Sequence, residues 1–263
     1  MNLKKIIIEL AIIAFIFPLI ILGIWSVTGS WIYPSILPQG YSLRGFQYIL
    51  SLDNILILIN SIILSILVVF ITIVISVPAA KALSLYNFKG KRFFELLVLS
   101  PVIIPTISIA MGVHIFFIKL KLANTYIGVI IINILPCIPY AVRIIGDMYK
   151  LIGDKLEIQA KMLGASKIDI FRYVTLPLLL PSILGASSMC FIIVFSQYFL
   201  TMLIGGGTVI TYPMIMFPYI QSGDRVIASM YSIVFLGVSI IVLILIEKRI
   251  KSYYKNSINF FNI

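Results

Sequence analysis

Six stretches of this chain are apolar for long enough to cross a lipid bilayer, and that feature excludes most folds. They cover residues 10–27, 56–77, 96–118, 125–145, 179–204 and 229–246. Crossing the hydrocarbon takes about 20 helical residues at a rise of about 1.5 Å each. Backbone N–H and C=O groups find no water there, so each stretch must satisfy its own hydrogen bonds by forming a helix. None is apolar throughout; Asn60, Ser61, Ser65, His114 and Gln197 interrupt them. Charged residues make up 11% of the chain and the mean hydropathy is +1.15, against about 25% charged residues in a soluble domain. The expectation is an all-α integral membrane protein with six transmembrane helices. Residues 1–55 form the first helix and an outer loop, 56–250 the main transmembrane domain, and 251–263 a tail.

The first apolar run follows Lys4 and Lys5, a pattern shared with secretory leaders. No small-x-small cleavage site follows it, so it reads as a retained helix, with a cleaved leader the alternative. Basic residues orient the bundle. With the N-terminus inside, every Lys and Arg falls on the inner side except Arg44, Lys119, Lys121 and Arg225. That is the bias cytoplasmic loops carry. Both termini are then cytoplasmic, and the net charge of +11 follows from topology and contact with anionic lipid, without nucleic acid.

The inventory argues against catalysis. No HExxH, GxSxG or phosphate-binding GxxxxGK[ST] motif is present, so no catalytic residue is assigned and any ATP must be hydrolysed by another chain. Cys137 and Cys190 fall in apolar spans and read as small core residues; their spacing suggests no metal site, and no cofactor is implied. His114 has no carboxylate within a helical turn, so it reads as a packed neutral side chain before a proton relay. A secondary transporter, the reading from another class, would carry charged residues at mid-membrane or repeated halves. These spans are nearly uncharged.

Between the spans, residues 31–54 form an outer loop containing Pro34 and Pro38, and residues 81–95 a basic inner loop. An outer stretch, 205–228, opens with Gly205-Gly206-Gly207; its apolar part, 209–220, is too short to span and reads as interfacial or re-entrant. Pro101, Pro105, Pro136, Pro139, Pro177 and Pro181 enter or interrupt the later spans, where they bend helices around a pathway or simply for packing.

The longest inner connection contains "EIQAKMLGASKIDIFRYVTLPLLLP", residues 157–181. Gly164 ends a helix of about 154–163. Ser166, with Asp169 three residues on, caps a second helix. That helix sets Ile168, Phe171 and Val174 or Thr175 at one-turn spacing against Lys167 and Arg172. Leu176-Pro177 is expected to stop it and turn the chain into the bilayer. Such a pair of short amphipathic helices lies on lipid headgroups or docks a cytoplasmic partner.

This stretch resembles the cytoplasmic loop of ABC-importer permeases, whose motif runs Glu-Ala-Ala, then a glycine, then Ile-x-Leu-Pro. Ala160, Leu163, Gly164, Ala165, Ser166, Phe171, Arg172, Val174, Leu176, Pro177 and Pro181 fit it. Asn60-Ser61, Pro78-Ala79-Ala80, Ala82-Leu83, Phe88, Gly90-Lys91, Pro101 and Pro105 are similar to the family as well. Aligned from Gly164, the motif's glutamate falls on Ile158 and its first alanine on Gln159, which leaves Glu157 one residue early. The resemblance implies a type I importer permease fold. It also implies a loop, carried here by Glu157, Ala160, Gly164, Ala165, Ser166, Phe171, Leu176 and Pro177, that docks into a separate ATPase subunit. The implied partners are ATP-binding cassette subunits, a second permease subunit, identical or homologous, and an extracytoplasmic solute-binding protein. The stretch "LIGGGTVITYPMIMFPYIQSGD" looks most like the polyamine branch, with thiamine, ferric iron and phosphonate permeases as relatives.

Overall fold

A computed structural model describes residues 3–31, 35 and 38–261. Pro34 of the expected outer loop and the last two residues of the expected tail lie outside them. In chain order the elements are α1 (Leu3–Ser26), β1 (Thr28–Ser30), β2 (Gly40–Tyr41), α2 (Arg44–Ile49), α3 (Leu52–Leu85), α4 (Lys91–Ile103) and α5 (Thr106–Lys119). Then follow α6 (Tyr126–Ile134), α7 (Ile138–Ile152), α8 (Lys155–Met162), α9 (Lys167–Ile170), a π-helical turn (Phe171–Thr175) and α10 (Leu176–Phe195). The chain ends with α11 (Phe199–Gly205), α12 (Tyr212–Ser222) and α13 (Arg225–Phe261). The strands β1 and β2 pair antiparallel in a short ribbon.

Among the described residues, four helical stretches are long and apolar enough to cross a membrane: Ile8–Ser26, Leu52–Leu85, Lys167–Phe195 and Arg225–Arg249. Two bent pairs, α4 with α5 at 105° and α6 with α7 at 49°, bring the total to six if each pair is one span. The all-α membrane architecture expected from the sequence is the one observed. Several boundaries differ, each for a local reason. The expected inner loop 81–95 is mostly helical: α3 runs through Pro78 to Leu85, and only a turn closing at Gly90 (φ +86°) separates it from α4. Lys81 is therefore a helical residue, since charge alone does not end a helix. The third span breaks at Pro105, where Ile104 takes an extended conformation (ψ 132°), as a residue before proline prefers. The fifth span stops at Phe195; Ser196–Tyr198 breaks it before α11. The 209–220 stretch forms α12, too short to cross.

The described residues pack as two units, Met1–Asn60 with Thr211–Ile240 and Ser61–Ile210 with Ile241–Ile263. In the first, Ile49, Tyr212, Ile227, Met230 and Tyr231 form the core. The Tyr231 hydroxyl donates to Asn54 Oδ1 at 2.9 Å, and Asn54 Nδ2 donates to the Tyr48 carbonyl at 2.8 Å, so the polar atoms among these rings are satisfied. In the second unit α7 lies along α10. Ala141, Ala186, Cys137 and Cys190 are fully buried there, and such small side chains let two helices approach closely. The cysteines are core residues, as expected; each Sγ lies 3.8 Å from the other's carbonyl oxygen. Apolar side chains cover the outside of the helices, Phe15 on α1 being 82% exposed, which suits lipid as the surrounding solvent.

Candidate functional site

The 154–176 loop of the second unit is built as the capping residues dictate. Helix α8 follows Asp154 and ends before Gly164, whose φ of +87° is a left-handed conformation that glycine adopts without a Cβ penalty. Ser166 then caps α9: its Oγ accepts the Asp169 N–H at 3.2 Å and donates to the Asp169 carboxylate at 2.6 Å. Ala165 and Ala160 are half-buried between these helices.

Glu157 holds the loop in place. Its carboxylate accepts from Lys81 Nζ at 2.5 Å and from the Thr175 hydroxyl at 2.6 Å. It thus connects the C-terminal end of α3, helix α8 and the last residue of the π-turn. Burial by itself would raise the Glu157 carboxyl; the hydrogen bonds from Lys81 and Thr175, with the Lys81 charge, more than reverse that and hold it below the usual carboxylate range. The acid one residue early in the motif is therefore the anchored one, and Ile158, where the aligned glutamate would fall, is half exposed. The sequence reading placed Lys81 in the inner loop and Thr175 on the amphipathic stripe, and paired neither with Glu157. Lys81 is 76 residues away and was placed in a loop; the available signal was a lone lysine one turn beyond Pro78.

The expected stop at Leu176-Pro177 does not occur. Residues 167–195 form one helical run, because the π-turn places the Leu176 N–H on the Phe171 carbonyl, five residues back. An added residue per turn relieves the crowding that the Pro177 ring would impose on the carbonyl four residues before it. The extra residue also shifts the helical face. Ile170 and Thr175 are buried, whereas Ile168 is 77% exposed and Phe171 half exposed, so the expected stripe through Ile168 is not the packed one. Met162 and Leu163 join Ile168 on the outside, at 83% and 88% exposed. Lys161 and Lys167 flank them. A cavity of about 420 Å³ lined by Lys81, Glu157, Lys161, Lys167 and Thr175 lies behind.

A larger cavity of about 950 Å³ runs along α3, α10 and the Val242–Ile246 turn of α13. Ile66, Phe70, Val74, Phe191 and Val242 line it, and Lys81, Tyr149 and Phe171 are also at its wall. His114 is half-buried on α5. Among the described residues no three His, Cys, Asp or Glu side chains come together as a metal site would require.

The chain belongs to the family described as binding-protein-dependent transport system inner membrane component, whose model matches residues 72–252. An arabinooligosaccharides transport system permease protein of Halalkalibacterium halodurans is 32% identical over 186 residues, which cover 66% of this chain and 65% of that one. A Salmonella typhimurium permease, provisionally named for 2-aminoethylphosphonate transport, is 24% identical over 92% of this chain and 91% of its own length. The chain thus covers less than two thirds of the arabinooligosaccharide relative. The fold matches a crystallised bacterial ABC transporter for alginate import with a TM-score of 0.71 at 17% identity, over 93% of this chain and 94% of that one. These neighbours are permeases, which are not themselves enzymes.

Proposed function

We propose that this chain is the permease subunit of an ABC importer, forming a solute path through the membrane and transmitting to it the movements of a separate ATPase. The observation that carries this reading is the mechanical continuity of the inner loop. Met162, Leu163 and Ile168 face outward on a two-helix head, the Glu157 clasp fixes that head to α3, and an unbroken run through the π-turn joins it to α10. A force applied at α8 and α9 therefore moves a membrane span instead of bending a hinge. Exposed apolar side chains ringed by lysines suit an apolar groove with an acidic rim on the ATPase. Glu157, Ala160, Gly164, Ala165, Ser166, Phe171, Leu176 and Pro177 are the residues assigned to this head and its attachment.

The partners are two ATP-binding cassette subunits, a second permease subunit and an extracytoplasmic solute-binding protein. One structural neighbour was crystallised with an alginate pentasaccharide-bound periplasmic protein, which supports the last. Both termini are cytoplasmic in this reading. The solute is polar: a polyamine was the expectation from the outer stretch, while the names of the relatives favour a sugar or a phosphonate.

The test is co-expression of the chain with its ATPase. The complex is expected to co-purify and to hydrolyse ATP, and the chain alone to do neither. Gly164→Asp should insert normally yet lose both ATPase and uptake. Normal assembly and uptake by that variant would leave the loop as an interfacial helix on lipid.

A further inference from the structure

The two tryptophans of this chain, Trp25 and Trp31, line one cavity of about 530 Å³ in the first unit, together with Thr28, Gly29, Asp224 and Arg225. Trp25 lies in the last turn of α1, and the rings meet edge to face with centroids 6.3 Å apart. Trp31 is fixed by its Nε1–H, which donates to the Ser35 carbonyl at 2.9 Å. The charges are unequal. Asp224 is fully used: one carboxylate oxygen accepts from Arg44 at 2.9 Å and the other from the Ile227 N–H at 3.3 Å. Arg225 places its guanidinium 5.3 Å from the Trp25 ring centroid and faces no carboxylate within salt-bridge distance among the described residues. Arg44 cancels Asp224, so the cavity keeps one uncompensated positive charge.

We propose that this cavity binds a phosphate-type oxyanion, with Arg225 as its donor. The ring face beside it holds the guanidinium in place and leaves N–H groups to fork onto two oxygens of an anion. The level in the membrane favours one source. Phe15, Phe17 and Ile20 of α1 are exposed and the turn from Ile21 to Trp25 is half-buried, so lipid meets the helix up to the turn that carries Trp25. Tryptophans at the end of such a helix sit at the headgroup layer, where phospholipid phosphate is the abundant anion. An interfacial tryptophan belt alone requires no unpaired guanidinium within the same cavity. The inference does not depend on the transported solute.

Because the cavity contains both tryptophans, tryptophan emission of the purified full chain, excited beyond the absorption of the tyrosines, reads this site. The chain is placed in maltoside detergent micelles, which carry no phosphate, and phosphatidylglycerol is added in steps. In a second series inorganic phosphate is added to the same micelles, with potassium chloride at matched ionic strength as the control. The emission is expected to shift with phosphatidylglycerol. Arg225→Gln should need about tenfold more for the same shift, the loss of one charge-assisted hydrogen bond. Arg225→Lys, which keeps the charge without the fork, should fall between. A shift with phosphatidylglycerol alone identifies a headgroup; a shift with phosphate beyond the chloride control identifies a soluble oxyanion. The proposal is overturned if neither shifts the wild-type chain, if chloride does as much, or if Arg225→Gln responds like wild type. Arg225 is exposed, so the variant should fold.

Discussion

Two prolines within the second unit, Pro105 and Pro177, act in opposite ways. At Pro105 the chain bends by 105° between α4 and α5, with Ile104 extended. At Pro177 it does not stop at all, and 167–195 counts as a single apolar span. The ring is the same; the preceding turn differs. Before Pro105 the chain leaves the helical conformation, and the ring finds room outside the helix. Before Pro177 a π-turn opens the helix by one residue and the ring finds room inside it. The difference teaches that a proline sets a local constraint, and that the preceding turn decides between a hinge and a stiff rod. On the proposed function the placement suits the roles: the loop assigned to receive force sits on the rod.

The strongest way to break the comparison is to remove the extra residue. Deleting Tyr173 should turn the π-turn into α-helix and rotate α8 and α9 by about 100° relative to α10, the angle of one residue. Glu157 then loses Thr175, the docking face points elsewhere, and uptake should be abolished although the spans still insert. Uptake assays and ATPase co-purification check this; wild-type uptake would show that the rod does not carry the force. Pro105→Ala is expected to do less, slowing transport a few-fold by stiffening the bend.

Next in size comes the clasp that ties the rod to α3. Lys81→Met should leave a part-buried carboxylate without its cation and cost about 1.5–3 kcal/mol, the range for hydrogen bonds to charged groups. Glu157→Gln should cost a similar amount, and the double variant less than the two together, because they share one interaction. Thermal unfolding of the detergent-solubilised chain measures all three, and strict additivity would show that the pair is not coupled. The pH dependence has a definite sign. The Glu157 carboxyl is depressed below its ordinary value of 4.5, so the clasp contributes fully above that value and is lost only as pH falls through the lower, folded value. Stability across the neutral range should be flat for the wild type with respect to this group. A transition near neutrality that Glu157→Gln removes would contradict the assignment.

What the sequence made legible, and what it did not, divides along the same line. The helical membrane class was readable because lipid forces every apolar stretch to satisfy its own backbone. The break at Gly164 and the cap at Ser166 were readable because each depends on residues within one turn, and the structure has both. The continuity through Pro177 was not readable, since proline chemistry predicts a stop and the π-turn that relieves it leaves no compositional mark. The Lys81–Glu157 pair was hidden by separation along the chain, and by assigning a lysine to a loop because it is charged.

The smallest expected effect sharpens the point about the clasp. Aligned on Gly164, the family's glutamate belongs at position 158, and Ile158→Glu would seem to restore it. The structure gives the reason it should change little. Glu157 already occupies the position between Lys81 and Thr175, and one residue further around an α-helix points about 100° away. Ile158 is half exposed, so a glutamate there stays in water and finds no cation already held in place for it. A solvated charge on a helix surface changes stability by about 0.5 kcal/mol or less. Uptake and thermal midpoint should both match the wild type within error. In the Glu157→Gln background the same substitution should fail to rescue, because the new carboxylate cannot reach both partners from its side of α8. Full rescue would mean that α8 can roll by one residue, and that the clasp selects an acid on this face without fixing its register.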